Sequence, residues 1–197
     1  MHSDPTRRVE LTEIAQLIAQ LADRDSAARE SAAGELYRIG CALGDAATAA
    51  WRADREFAGL LAGPPTVGVA VLPERFEAIC RAFGNPHLAD VPPDQDAKEF
   101  EVILRAARLD VLTTRAPGGA GAIAKFLEKF GEGIQQIEFP TTDVDRATEI
   151  LRARLGLAPI YPATRPGADG TRVNFFLART PDGKKALIEL VEAPKRA

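Results

Sequence analysis

The chain repeats one arrangement of strand, helix and glycine, and this repeat limits the folds that it can adopt. Thr66–Leu72, TVGVAVL, is short and rich in β-branched residues, and an amphipathic helical segment follows it as far as Gly84. Gln136–Phe139 begins the same series, with Gln136 lying 70 positions after Thr66, and this second series ends at Gly156. Self-similarity at a fixed spacing indicates two copies of one structural unit. The pattern therefore predicts an α+β protein built from paired βαβββ modules.

Apolar periodicity and turn residues set the expected elements of each module. The first module, residues 66–116, is predicted to contain a helix over 74–83 and later strands over 87–91, 99–106 and 109–114. The second, residues 134–193, is predicted to contain a helix over 143–155 and later strands over 158–162, 171–178 and 185–192. An amphipathic helix over 122–130 lies in the linker, residues 117–133. Together they make a two-module domain over residues 65–197.

Residues 1–64 have a different pattern and are predicted to form helices. The first helix is expected over 9–22, a second over 27–39 with Gly40 at its end, and a third after Gly44 that closes at Gly63-Pro64-Pro65. Part of this segment resembles a single HEAT-type repeat, which cannot form a solenoid alone. We expect these HEAT-like helices to pack as a cap on the two-module domain, because three short helices bury little surface by themselves.

Composition excludes several classes of function. Of the 197 residues 46% are hydrophobic, and the net charge is -3, so no general attraction to nucleic acid or to an anionic membrane is expected. No apolar run reaches the roughly 18 residues that span a bilayer, and the N-terminus has no signal-like segment. The prediction is a cytoplasmic protein. Cys41 and Cys80 lack metal-ligand spacing and are expected to be buried, inert thiols.

Three segments of the chain resemble the vicinal oxygen chelate superfamily, which includes glyoxalase I, extradiol dioxygenases and bleomycin-resistance proteins. The segments are AIAKFLEKFGEGIQQIE at 122–138, RPGADGTRVNFF at 165–176 and KKALIELVE at 184–192. Within the superfamily they are most similar to methylmalonyl-CoA epimerase, and the resemblance covers residues 66–192. It implies that the two modules form a curved mixed sheet around a cleft. It also implies a homodimer.

The resemblance implies a divalent metal held by the first and last strands of each module. The matching positions are Thr66, Asp110, Gln136 and Glu189, and the two first-strand positions lack the histidine that is usual there. A threonine hydroxyl and a neutral amide are weak donors compared with imidazole, so the metal site is expected to be degenerate. The family's catalytic carboxylates match Glu189 and, through a loop of weaker similarity, Asp94.

These observations favour a binding protein over an enzyme. The leading hypothesis is that a small organic or acyl-CoA-type ligand occupies the cleft between the modules, without a cofactor. The alternative is an isomerase of the epimerase type, or a lyase of the glyoxalase type, with a loosely held divalent metal. A second alternative is a regulatory or scaffold protein without catalysis. No nucleic-acid or membrane partner is expected, and a small molecule and a second copy of the chain are the expected partners.

Overall fold

The computed structural model describes the backbone of residues 5–194 and the side chains of residues 12–194. Contacts between residues divide the chain into two compact units. The first unit comprises the chain as far as Ile39, Val67–Ala89 and Pro93–Gln135; the second comprises Gly40–Thr66, Asp90–Pro92 and the chain from Gln136 onward. Each unit contains one of the repeated modules.

The first unit has a three-stranded sheet with helices against it. Its elements are helix α1 (Pro5–Gln20), the start of α2 (Ser26–Arg52), strand β1 (Thr66–Ala70), α4 (Pro73–Ala82), β2 (Ala97–Leu104), β3 (Ala107–Thr114) and α5 (Ala122–Phe130). Strand β3 is antiparallel to β2 and parallel to β1. The rings of Phe76 on α4 and Phe100 on β2 pack edge to face at 4.9 Å, which joins helix and sheet in one core.

The second unit has a similar plan with one more strand. Its elements are the end of α2, helix α3 (Arg55–Leu60), strand β4 (Gly133–Thr141), α6 (Val144–Leu155), β5 (Arg165–Pro166), β6 (Arg172–Arg179) and β7 (Lys185–Glu192). Strand β7 is parallel to β4 and antiparallel to β6, which pairs in turn with β5. In both units the first strand is therefore parallel to the last, and a helix follows the first strand.

The predicted fold class is confirmed: the protein is α+β, with paired modules, seven strands of mixed direction and an N-terminal helical segment. Two of the predicted strands are wrong. Residues 87–91 form no strand, although the Ala89 N–H bonds to the Glu99 carbonyl at 3.0 Å. Residues 158–162 are also irregular, although the Ile160 N–H bonds to the Phe175 carbonyl at 2.7 Å. Both segments contain or adjoin prolines, which have no N–H to give to a ladder.

The helical segment differs from its prediction at the glycines. Helix α2 runs without a break through Gly40 and Gly44, where the sequence indicated an end and a new start. A side chain on Gly44 would lie 2.9 Å from Cγ2 of Ile137 and 3.3 Å from the ring of Phe139. Gly44 thus allows the helix to approach strand β4 closely, and its role is packing rather than termination.

Aromatic packing holds the end of α2 and helix α3 to the second module. Trp51 is 4% exposed and lies edge to face against Phe57 of α3 and Phe176 of β6, at 6.1 and 5.7 Å. The chain after α3 then joins strand β4, because the Ala62 N–H bonds to the Pro140 carbonyl at 2.8 Å. Helix α3 and the residues on either side are therefore part of the core of the second unit.

Charged groups add to this contact at the surface. Asp54 caps α3 by accepting from the Phe57 N–H at 3.1 Å, and Arg154 of α6 bonds to it at 3.0 Å. These bonds, the one from Phe57 first, lower the pKa of Asp54. Hydrogen bonds from Arg146 and then Arg154 lower the pKa of Glu56. Because both folded-state pKa values are lowered, the stabilisation is present above the unfolded pKa values and is lost as the pH falls through the folded ones.

None of the helices among residues 5–194 is long and apolar enough to cross a membrane.

Trp51 tests whether the helical segment is needed for the stability of the second unit. Replacing Trp51 with Ala should lower the free energy of unfolding by about 3–5 kcal/mol, because it removes a buried indole and leaves a cavity beside Phe57 and Phe176. Urea denaturation followed by circular dichroism measures the change, and Trp51→Phe, which keeps an aromatic ring, is the control with the smaller loss. A loss below about 1 kcal/mol for Trp51→Ala would contradict this packing role.

Candidate functional site

One face of the second module's sheet carries a cluster of polar side chains. Gln136 and Glu138 are two residues apart on β4, so their side chains leave the strand on the same side. Glu189 of β7 is directly opposite Glu138 in the parallel register and shares that side. Gln136 and Glu189 are each 8% exposed, and Glu138 is half-buried. Two carboxylates and one amide thus converge in a place with little water.

The Gln136 amide bridges the two carboxylates. Its Nε2 donates to Oε2 of Glu189 at 2.6 Å and to Oε1 of Glu138 at 3.0 Å. Ionised carboxylates only accept hydrogen bonds, so the amide has to present its nitrogen, with two N–H donors, toward them. Like charges at directly opposite positions in a sheet repel each other, and the amide donates to both carboxylates and so offsets part of this repulsion.

This arrangement does not fit a tightly held transition metal at Gln136. An amide binds a metal through its oxygen, whereas the Gln136 amide directs its nitrogen to Glu138 and Glu189. A metal bound by Glu189 at this place would first have to displace the 2.6 Å hydrogen bond. Among the side chains that the structure describes, no three from His, Cys, Asp and Glu come together in a group that could hold a metal.

The expected site residues of the first module, Thr66 and Asp110, have the same strand register as those of the second. Asp110 of β3 is directly opposite Gly68 of β1, and Thr66 precedes Gly68 by two residues. In the second module Glu189 is opposite Glu138, and Gln136 precedes Glu138 by two residues. Asp110 is 5% exposed. The modules therefore repeat in register as well as in sequence, with Gly68 where the second module has Glu138.

The remaining expected site residue, Asp94, lies in a different setting. It is exposed in the short 3₁₀ turn Pro93–Gln95, which belongs to the first unit, whereas Glu189 is buried in the second. The role of Asp94 as a second catalytic carboxylate remains a prediction.

Glu138 was absent from the expected set of site residues, although the sequence contains a sign of it. Side chains alternate along a strand, so a residue two positions from an expected ligand must share its face. Residues directly opposite each other on paired strands also share a face, and on β2 this identifies Glu101, which is opposite Asp110. Sequence reasoning transferred only the positions given by the resemblance and did not extend them across the strands.

Aromatic and cationic side chains complete the polar face of the second module. Phe175 of β6 is directly opposite Glu189, and its ring meets the edge of Tyr161 at 6.0 Å. The guanidinium of Arg165 lies over the Tyr161 ring, 4.3 Å from its centre. The face therefore combines acidic, aromatic and basic groups, which suits a ligand with both polar and apolar parts.

The bridge can be tested without any ligand. Replacing Gln136 with Ala should lower the free energy of unfolding by about 1–3 kcal/mol, since it leaves the buried Glu189 and the half-buried Glu138 without their shared donor. Adding Glu138→Ala should recover part of that loss because the repulsion disappears.

Urea denaturation of the two single variants and the double variant gives the coupling energy. Glu138→Ala alone is the control. If the two losses are simply additive, the amide does not act on the carboxylate pair as described.

Comparisons with known proteins point to one family. No protein-family model and no curated protein matches the chain. Among solved structures, the methylmalonyl-CoA epimerase of Mycobacterium tuberculosis is 32% identical to this chain. The match covers 69% of this chain and 91% of the epimerase chain, with a TM-score of 0.55.

Two further structures of the same enzyme are similar. A variant of the Streptomyces coelicolor epimerase in complex with 2-nitronate-propionyl-CoA is 26% identical, with 68% of this chain and 96% of that chain covered and a TM-score of 0.56. A methylmalonyl-CoA epimerase in complex with methylmalonyl-CoA and NH4+ is 27% identical, with 66% and 93% covered and a TM-score of 0.53. The Mycobacterium tuberculosis enzyme is 32% identical to this chain, and the match covers 91% of that enzyme. The chain therefore belongs to the methylmalonyl-CoA epimerase family of the vicinal oxygen chelate superfamily.

Proposed function

We propose that this protein binds an acyl-CoA-type ligand on the face that carries Gln136, Glu138 and Glu189, and that it does so without a tightly held metal. Two related epimerases are described with acyl-CoA ligands, methylmalonyl-CoA and 2-nitronate-propionyl-CoA. The acidic, aromatic and basic groups on this face give such a ligand separate places for its thioester and its charged groups.

The bridging amide is the observation that carries the proposal. Proton transfer beside a thioester forms an enolate, and a site that accelerates it needs a positive or hydrogen-bond-donating group at the enolate oxygen. The N–H groups of Gln136 are already directed to Glu138 and Glu189, at 3.0 and 2.6 Å. The groups at this place therefore support binding more readily than enolate formation.

Epimerisation is the second candidate function, and the retained Glu189 favours it. This carboxylate is buried at the position where the family resemblance puts a catalytic group, and a positioned carboxylate can act as a general base. In this version the amide would have to release Glu189 when the substrate binds, and a divalent ion would be held loosely. Thr66 and Asp94 belong to the same alternative.

Three other expectations remain predictions. Residence in the cytoplasm, a homodimer and a role as a non-catalytic scaffold are tested by neither the fold nor the comparisons.

Metal content and proton exchange separate binding from epimerisation. The purified protein should contain well below one equivalent of zinc, cobalt, nickel or manganese by elemental analysis. It should bind methylmalonyl-CoA in calorimetry without exchanging the α-proton for deuterium in D₂O at an enzymatic rate. Thr66→His together with Gln136→His is the matched gain variant, because imidazole at both positions should increase transition-metal affinity.

Two results would contradict the binding proposal and support epimerisation. They are stoichiometric metal in the wild type and exchange of the α-proton that is lost in Glu189→Gln. Failure to bind any acyl-CoA would refute both.

A further inference from the structure

We infer that the second unit has a further binding site, separate from the polar face, and that its ligand is a short keto acid. The site is a groove of about 240 Å³ between helix α6 and residues 162–164. None of the residues that line this groove was among the site positions given by the family resemblance. The inference therefore goes beyond the proposed function and does not depend on it.

The two sides of the groove differ in character. One side is a single stripe of α6, whose charged and polar members are one turn apart: Asp145, Thr148, Glu149 and Arg152. The other side is formed by residues 162–164, where Pro162 and Ala163 offer apolar surface. The groove thus combines polar groups along one side with a place for carbon atoms along the other.

Hydrogen bonds fix one end of the groove. Thr164 Oγ1 donates to Oδ1 of Asp145 at 2.8 Å, and the Arg172 guanidinium donates to Asp145 and, at 3.1 Å, to Thr164 Oγ1. Arg172 also pairs with Glu192 of β7 at 3.3 Å. Glu192 is three residues beyond Glu189, so it points to the other side of the sheet. The groove is therefore held on the side of the sheet opposite the polar face.

Thr148 gives the groove a hydroxyl that the rest of the fold does not use. Its side chain is 9% exposed, and its Oγ1 has no hydrogen-bond partner among the described residues. A helical threonine can bond back to the carbonyl one turn earlier, and this one does not. A buried polar group without a partner destabilises the fold. Because Thr148 lines the groove, a ligand seated there can accept the missing hydrogen bond.

Arg152 supplies the charge that selects the ligand. Two of the three ionised groups along the groove are already paired, Asp145 with Arg172 and Glu149 with Arg146 at 2.6 Å. Arg152 has no counter-ion in the part of the chain whose side chains the structure describes. One positive charge therefore remains, which favours an anion with a single charge. A planar guanidinium fork matches a carboxylate.

The spacing of the two donors limits the size of the ligand. Thr148 and Arg152 are four residues apart, so their Cα atoms are about 6 Å apart along α6. A carboxylate at Arg152 leaves room for one further acceptor close to it, at Thr148, with the carbon atoms against Pro162 and Ala163. A short acid with a carbonyl oxygen beside its carboxylate, a keto acid, meets these requirements.

Pyruvate and propionate test the inference because they differ in the carbonyl oxygen. Titration of the full chain, followed by ¹⁵N-edited NMR, should show saturable shifts for the amides of residues 145–152 and 163–164, with pyruvate bound several-fold more tightly. Arg152→Gln should weaken the binding of both by about tenfold or more, the effect of losing a charge-assisted bond. Thr148→Val, which keeps the shape, should abolish the preference for pyruvate and raise the Tm, because the hydroxyl without a partner is gone.

Arg179→Gln is the matched control. Arg179 is exposed at the end of β6 and lies on the polar face, so the same change of charge there should alter neither affinity. Acyl-CoA binding on the polar face should be unchanged in Arg152→Gln, so the two proposals can fail independently.

Several outcomes would overturn the inference. Shifts that do not saturate, or that fall outside the two segments, would show that the groove is not a binding site. Inorganic phosphate bound as tightly as pyruvate, or an equal loss in Arg179→Gln, would mean that charge alone attracts the anion. A Thr148→Val variant that keeps the full preference for pyruvate, or that has a lower Tm than the wild type, would refute the role of the hydroxyl.

Discussion

The hydrogen bonds from the Gln136 amide to Glu138 and Glu189 are the interaction on which the rest of the site depends. Two carboxylates at opposite positions in a sheet, with little water around them, repel each other unless a cation or a donor lies between them. Here a neutral amide provides two donors at 2.6 and 3.0 Å. The pair can therefore be part of the fold without an ion. The amide in place of an ion changes the chemistry that this member of an epimerase family can carry out.

The helical segment supports the strand from which this amide projects. Gly44 lets helix α2 approach Ile137 on the helix-covered side of β4, and Arg52 places its guanidinium 4.9 Å from the centre of the Phe139 ring on that side. Ile137 and Phe139 alternate with Gln136 and Glu138 along the strand. One side of β4 is thus fixed by apolar packing with the helical segment while the other presents the polar cluster. Residues from outside the repeated modules thereby help to position the site.

Much of the fold was predictable because it follows from patterns that are local in the sequence. The repeat of strand, helix and glycine gave both modules, and alternation gave β6 and β7. The errors have physical causes that operate at a distance. Gly44 was interpreted as the start of a new helix, whereas the close approach of strand β4 explains why a small residue lies inside α2 at this position. Helix α2 also continues through Gly40. Residues 87–91 and 158–162 have strand-like composition, but their prolines remove the donors of a ladder.

The site was predictable only in part, for a related reason. The resemblance gave Gln136 and Glu189 as matching positions, and the structure brings these two side chains together. The resemblance gave no indication that Gln136 would donate to Glu189. This hydrogen bond depends on Glu138, because Glu138 adds a second acceptor on the same face. Arg165 matched none of the site positions given by the resemblance, and its place opposite Val173 depends on a pairing of only two residues. Cross-strand neighbours of this kind are not visible in a linear pattern.

The Gln136 side-chain amide can be observed directly by ¹⁵N-edited NMR, and its response to cobalt tests the central claim. If the amide bridges Glu138 and Glu189 in place of a metal, its two protons should exchange slowly with water. Its resonances should also remain sharp and unshifted when one equivalent of Co²⁺ is added. Rapid exchange, or strong paramagnetic broadening and shift of the Gln136 signals at equimolar Co²⁺, would show that a metal can take this position and would contradict the account.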